Sequence, residues 1–446
     1  MKNIYPIFYL LLINILSVQA QSPTVYCTFW NGSSEYMAHI NFTTNSVDSV
    51  GKIQGSTFFP VAQANGYDSY RNRYYTISNQ GLVAIDASTG VPVFTAAQYT
   101  GGFKHLSYNP TTDLLFATRY NGTTEEFYQI SPVTFEIVNQ GVLDLGNPYF
   151  VIGFYGSDAF ANEVIFQTPQ STNNIKTVNM STGMVTKTFT KPAYLTNVLL
   201  AAHDPQTDLY YAVGLKNSSV YLIQINKSTS VIDTVGRITG ATTTSLSGSA
   251  LDVVNRKFIY NSNLGITVVS LDNPTNTIAI PYPTGAINVK GFQTNYFSAP
   301  LPRLQGQTIR AQFKIVEAWL KDGVEILNSS TSDFVPSESG NYSYRIRRPD
   351  GATAISSEIP FSITRSKTDQ LKTTLLFSFN LLQEKLTLQL PEKDMAEINI
   401  YNSAGRNMKS GMINNNEVNV RSLPSGVYQI VAQQGNQQLR GRFLKP

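Results

Sequence analysis

From Val25 onward, apolar residues occur in short runs, often alternating with polar ones, broken by small clusters of Asp, Asn, Ser, Thr, Gly and Pro. Period-two alternation puts one face of a segment in a core and the other in solvent, so the pattern predicts short β-strands joined by tight turns. Up to about Ser298 the pattern repeats itself. A first turn (Asp68 to Asn72, Asn109 to Asp113, Asp158 to Asn162, Asp204 to Asp208, Asp252 to Asn255) precedes an apolar strand (Tyr74 and Tyr75, Leu114 to Phe116, Val164 to Phe166, Leu209 to Tyr211, Phe258 to Tyr260). A second turn recurs around Thr44, Thr89, Thr134, Thr182, Thr229 and Thr275, at spacings of 45, 45, 48, 47 and 46 residues. A period of this size with four short strands per unit fits a six-bladed β-propeller, whose radial closure leaves few open sheet edges. The β-branched and aromatic strands exclude a helical repeat. The first copy begins at its second strand, Val25 to Thr28, so the missing first strand is expected from Ala286 to Phe292, closing the ring.

Composition agrees with this all-β reading. Only 14% of the 446 residues are charged, whereas Tyr and Phe number 25 and 24. The net charge of +4 is small for this length and is not gathered into a stripe, which excludes a nucleic-acid footprint. The single cysteine, Cys27, rules out an internal disulfide, so stability rests on core burial.

Lys2, an apolar run from about Ile7 to Val18, and Val18-Gln19-Ala20 form the three parts of a secretory signal peptide, with cleavage expected after Ala20. No later run is apolar enough to span a bilayer, so no retained transmembrane segment is expected. The expected domains are a signal peptide (1–20), the propeller (21–299), a β-sandwich (304–366) and a small terminal β-sandwich (372–446). In the third segment, Glu317 to Gly323 around Trp319, and Ser339 to Tyr344 with Tyr342 as a tyrosine corner, resemble an immunoglobulin-like domain. Tyr344 stands where many such domains carry their second cysteine. In the last segment, Lys385 to Leu390, Ala396 to Tyr401, Ser403 to Arg406, Val418 to Leu423, Ser425 to Val431 and Arg442 to Lys445 resemble the type A sorting domain of the Bacteroidetes type IX secretion system. That resemblance implies Sec export, type IX translocation with residues 384–446 engaging the machinery, and an extracellular or outer-membrane-surface location.

Catalytic motifs are absent: there is no His-Glu-x-x-His, no Gly-x-Ser-x-Gly and no phosphate-binding glycine loop. His39, His105 and His203 are dispersed through the repeat, and the turn aspartates read as acceptors in Asx turns, too few per turn for a calcium site. No catalytic residue, cofactor or metal is therefore expected. Propeller topology gathers the connections between blades and the hairpins between second and third strands at one end. Those connections carry Phe58, Phe59, Tyr99, Phe103, Tyr149, Phe150, Tyr194 and Tyr282, and the hairpins carry Asn31, Asn79, Asn121, Asn173, Asn217 and Asn261. Aromatic rings with amides suit a glycan or protein ligand, with Asn121 and Asn217 as the foremost amides. The expected function is a secreted or surface-displayed binding or adhesion protein; the alternatives are a glycan-active hydrolase or lyase and a structural component of a surface assembly.

Overall fold

The computed structural model describes residues 24–53, 64–78, 81–99, 103–145, 156–167, 174–241, 244–363, 373–374, 376–380, 384–390, 395–413, 416–434 and 437–446. The expected signal peptide lies outside them. The chain divides into two compact units, Met1–Phe361 and Ser362–Pro446. Among the described residues the only helical segments are two 3-10 turns, Ala97–Tyr99 and Tyr296–Ser298.

The first unit contains six four-stranded antiparallel sheets. From innermost to outermost strand, the second runs Asn65–Asp68, Arg73–Ser78, Gly81–Asp86, Pro92–Ala96. The third runs Phe103–Asn109, Leu114–Tyr120, Glu125–Ile130, Ile137–Val142, and the fourth Ser157–Asp158, Glu163–Gln167, Asn174–Asn179, Val185–Thr190. The fifth runs Asn197–Asp204, Leu209–Lys216, Ser219–Asn226, Ile232–Arg237, and the sixth Thr244–Asp252, Lys257–Ser262, Gly265–Ser270, Thr277–Ile280. The first sheet takes its innermost strand, Asn288–Thr294, from after the sixth, pairing it with Val25–Trp30 ahead of Glu35–Asn41 and Ser46–Lys52. The innermost strands contact one another in cyclic order, the sixth meeting the first. Covered on both faces, inner strands such as Asn197–Asp204 are buried almost throughout, whereas outer strands such as Pro92–Ala96 are largely exposed.

Turn chemistry explains the repeat. Asp68, Asn109, Asp158, Asp204 and Asp252 each accept, through Oδ1, a backbone N–H two or three residues on. The turns close on left-handed residues at Asn72, Asp113, Asn162, Asp208 and Arg256, with φ of 55°, 58°, 54°, 60° and 52°. Four of these five are Asn or Asp, the non-glycine residues that tolerate this conformation best. Polar staples then tie neighbouring sheets: Arg71 binds Asp68 at 2.8 Å within its turn and grips both oxygens of Asp113 at 2.6 and 2.8 Å on the next sheet. Arg256 reaches Asp204 at 2.8 Å.

Closure has one tight point. Tyr74 of the second sheet donates its hydroxyl to the Gly291 carbonyl at 2.6 Å, and Gly291 has φ of 65°. A Cβ there would lie 2.1 Å from the Tyr74 hydroxyl oxygen. Gly291→Ala is therefore expected to destabilise the first unit by about 2–4 kcal/mol, summing overpacking and a left-handed alanine. Urea titration of the mature protein measures it, and a midpoint unchanged from wild type would refute this account of closure.

After the ring, Pro302–Gln305, Thr308–Ala311 and Asp333–Phe334 form a three-stranded sheet. It accompanies a five-stranded one built on Ala318–Lys321 and Gly340–Arg347. Trp319 is fully buried, with its centroid 5.3 Å from both Phe334 and Tyr344. Tyr342 donates its hydroxyl to the Glu338 carbonyl at 2.8 Å. This sandwich rests on the first turns of the ring: Lys314 N–H donates to the Pro110 carbonyl at 2.8 Å, and Thr111 Oγ1 to the Gln312 carbonyl at 2.9 Å. Arg303 lies over the Phe160 ring at 4.5 Å. The second unit packs a five-stranded and a three-stranded sheet around Leu386, Ile398, Ile400, Val418 and Ile430. Its buried Lys445 donates to the carbonyls of Arg421 and Leu423 at 2.9 and 2.5 Å.

Candidate functional site

The six inner strands enclose an axial cavity of about 90 Å³. Gly156, Gly248, Gly291, Ala201 and Ala202 keep it open, while Asn65, Ser249, Gln293, Thr294 and His203 give it a polar lining. Tyr67, Tyr108 and Tyr296 line it too. The first two donate their hydroxyls to turn residues, to Asn72 at 2.6 Å and Asp113 at 2.8 Å. Tyr296 follows the closing strand, and its N–H donates to Ser69 in a first turn. The turn end of the ring is thus occupied by tyrosines and, over the third to fifth sheets, by the sandwich. The opposite end, where inner strands start and second-to-third-strand hairpins turn, carries the candidate rings and amides.

Of the candidates expected there, Phe58, Phe59, Tyr149 and Phe150 lie outside the described residues, as do Asn79 and Asn173. Tyr99 and Phe103 are each 4% exposed. The Tyr99 hydroxyl donates to the Phe135 carbonyl at 2.6 Å, and Phe103 packs edge-on to Tyr99 and Tyr128. Tyr282 is half-buried against the core between the first and sixth sheets. Asn261 is fully buried. Asn31 and Asn121 are spent on their own hairpins, each accepting two backbone N–H groups through Oδ1. Tyr194 and Asn217 behave differently. Tyr194 is 43% exposed, and Lys216, adjacent to the exposed Asn217, holds its ammonium 4.9 Å from the Tyr194 centroid and 6.0 Å from that of Tyr221. The fifth sheet therefore brings two of the expected residues to one corner.

Sequence reasoning missed two groups. At the ring end that bears the hairpins, Glu35 and Glu125 begin equivalent third strands and are nearly buried, 3.5 Å from Lys290 and 3.9 Å from Lys104 on the inner strands of the same sheets. Burial pushes both carboxyls up, with the lysines opposing it. The second group sits at the turn end. Asp158, His203 and Asp208 offer donor atoms within 4.8 Å of one another. Lys227 hydrogen-bonds Asp158 and lies 3.5 Å from both Asp208 and Glu163, while Arg303 reaches Asp208 at 3.1 Å. With two cations on these carboxylates, the cluster is an ion network joining the fourth sheet, the fifth sheet and the sandwich. Aligning the repeats would have revealed it, because Asp158 and Asp208 bracket successive first turns and His203 adjoins the second.

Burial raises the Asp208 carboxyl, but the His203 hydrogen bond and the charges of Lys227 and Arg303 outweigh it and hold the group below its ordinary value of 3.8. A depressed acid contributes stability that is complete above the ordinary value and disappears as pH falls through the folded-state value. The stability gap between wild type and Asp208→Asn is thus expected to shrink as pH falls below 3.8. Calorimetric melts at a series of acidic pH values measure it; a gap that does not shrink below 3.8 would contradict the network.

Comparison with known proteins locates the chain's route. Residues 380–445 match the family described as the Secretion system C-terminal sorting domain. The protein is therefore exported through type IX secretion to the extracellular space or cell surface. Among the described residues, no helix is long and apolar enough to cross a membrane. No curated protein matches the chain. Among solved structures, TolB from Acinetobacter baumannii aligns over 61% of this chain and 66% of its own, at 10% identity and a TM-score of 0.46. This chain thus spans just under two thirds of that one. A chain of the nidogen/laminin complex aligns over 60% and 97%, at 11% identity and 0.43. Hydrazine synthase of Kuenenia stuttgartiensis aligns over 63% and 89%, at 9% identity and 0.40. These likenesses concern backbone shape alone.

Proposed function

We propose that the protein is a non-enzymatic binding or adhesion protein. In this reading residues 1–20 are a signal peptide of a Bacteroidetes export pathway, and residues 21–299 form a six-bladed β-propeller whose hairpin end is the ligand platform. Residues 304–366 are an immunoglobulin-like spacer and residues 372–446 the sorting domain. Cyclic contact among the six inner strands supports the propeller, and the buried Trp319 with the Tyr342 corner bond supports the immunoglobulin-like reading. The observation that carries the platform is the asymmetry of the ring: one end is taken up by the sandwich and tyrosines, while the other presents Tyr194, Lys216 and Asn217.

The rival reading is a glycan-active hydrolase or lyase. Glu35 and Glu125 have the raised carboxyls that general acids require, yet at 1% and 5% exposure a substrate oxygen has no approach to them. A glycan array probed with the mature chain, followed by product analysis of each retained glycan, separates the two. Retention without products supports the platform. Turnover that Glu35→Gln or Glu125→Gln abolishes would establish the hydrolase instead.

A further inference from the structure

We propose that the corner of the fifth sheet around Tyr194 and Lys216 is a subsite for a carboxylated sugar, an inference that rests on the platform reading above. Lys216 ends the second strand, and its ammonium lies against two aromatic faces. Among the described residues, no carboxylate lies within 4.0 Å of it, nor of Arg237, which stands directly across the ladder from Tyr221. The chain has no acidic residue between Glu163 and Asp204, between Asp208 and Asp233, or between Asp233 and Asp252. Three of the carboxylates that bound the first two gaps, Glu163, Asp204 and Asp208, are engaged at the turn end, together with Asp158, by Lys227, Arg256 and Arg303.

The third sheet supplies the contrast. Arg119 also lies near two rings, Phe103 and Tyr128, but its Nη2 binds Glu126 at 3.1 Å, so its countercharge is internal. Lys216, by contrast, has its ammonium against two rings and no carboxylate within 4.0 Å among the described residues, so an anionic ligand can pair with it without displacing an internal partner.

The surroundings fit a sugar. Thr234 donates to the Tyr194 hydroxyl at 3.3 Å, fixing a ring that remains 43% exposed, which suits the apolar face of a pyranose. Asn217 and Ser218 are both left-handed, with φ of 48° and 62°, so the two-residue hairpin presents an amide and a hydroxyl at its exposed tip. A uronate ring lying on Tyr194 would place its carboxylate toward Lys216 and its hydroxyls toward Asn217 and Ser218.

The test is calorimetric titration of the mature full chain with a galacturonate hexamer, a neutral hexasaccharide of matching linkage and a glutamate hexapeptide. Lys216→Met is expected to weaken galacturonate binding about tenfold or more, the scale of a lost charge-assisted contact. Its effect on neutral-sugar binding should be several-fold smaller, and the melting temperature should stay unchanged. Tyr194→Ala should weaken both sugars. Unchanged galacturonate affinity in Lys216→Met, with neutral binding intact, would overturn the subsite while sparing the platform. Equal affinity for the glutamate peptide would reassign the corner to acidic peptides. Binding of none of the three would remove the subsite, and an empty glycan array would remove the glycan platform with it.

Discussion

Deleting residues 380–446 is expected to abolish release to the medium and surface display, leaving the protein in the periplasm. The family match covers 380–445, and this segment belongs to the second compact unit, which has its own core around Ile398, Ile400 and Ile430. The first unit ends at Phe361, so the deletion removes none of the strands that close its ring or its sandwich. Fractionation with an antibody to the first unit reads the result. Recovery of the truncated chain in the medium at the wild-type level would mean that the terminal module does not direct export. Insoluble aggregate in place of soluble periplasmic protein would mean that the two units are not separable.

The largest expected effect on stability is at Trp319. With no disulfide available, the sandwich depends on this ring, which is fully buried between Phe334 and Tyr344 and donates its indole N–H to the Thr331 carbonyl at 2.8 Å. Trp319→Ala removes the packing and leaves that carbonyl without its donor, at a cost of about 3–5 kcal/mol. Trp319→Phe keeps most of the packing and loses the hydrogen bond, so a smaller loss of about 1–3 kcal/mol is expected. Calorimetry of the mature chain and both variants gives the order. Equal losses would show that the indole hydrogen bond, not ring volume, holds the sandwich.

Much of the fold was legible because its turns have fixed chemical requirements. A left-handed residue must close each first turn, and Asn72, Asp113, Asn162 and Asp208 recur for that reason. The absent first strand before Val25 was legible as a gap in the repeat, and Asn288–Thr294 fills it. The site was less legible. Periodicity places Tyr99, Phe103 and Tyr194 at the same end, yet only Tyr194 among them is exposed. A bulge between Phe103 and His105 shifts the pairing register of the inner strand there, which alternation alone does not reveal.

The charged groups were hidden for a different reason. Glu35 and Lys290 stand near opposite ends of the ring's sequence and meet only because the ring closes between them. Lys227, Asp158 and His203 come from different strands and turns of two successive repeats. Single-sequence reading treats such residues as scattered, whereas superposing repeats brings Glu35 onto Glu125 and sets Asp158 beside His203.

The platform itself is tested most directly by hydrogen–deuterium exchange of the mature chain with and without a glycan retained on the array. Protection is expected at the hairpin end, in residues 191–196 and 216–221 of the fifth sheet, with the first turns, the sandwich and residues 380–445 unchanged. Protection confined to the sandwich or to the turn end of the ring, with 191–196 and 216–221 unaffected, would contradict the account.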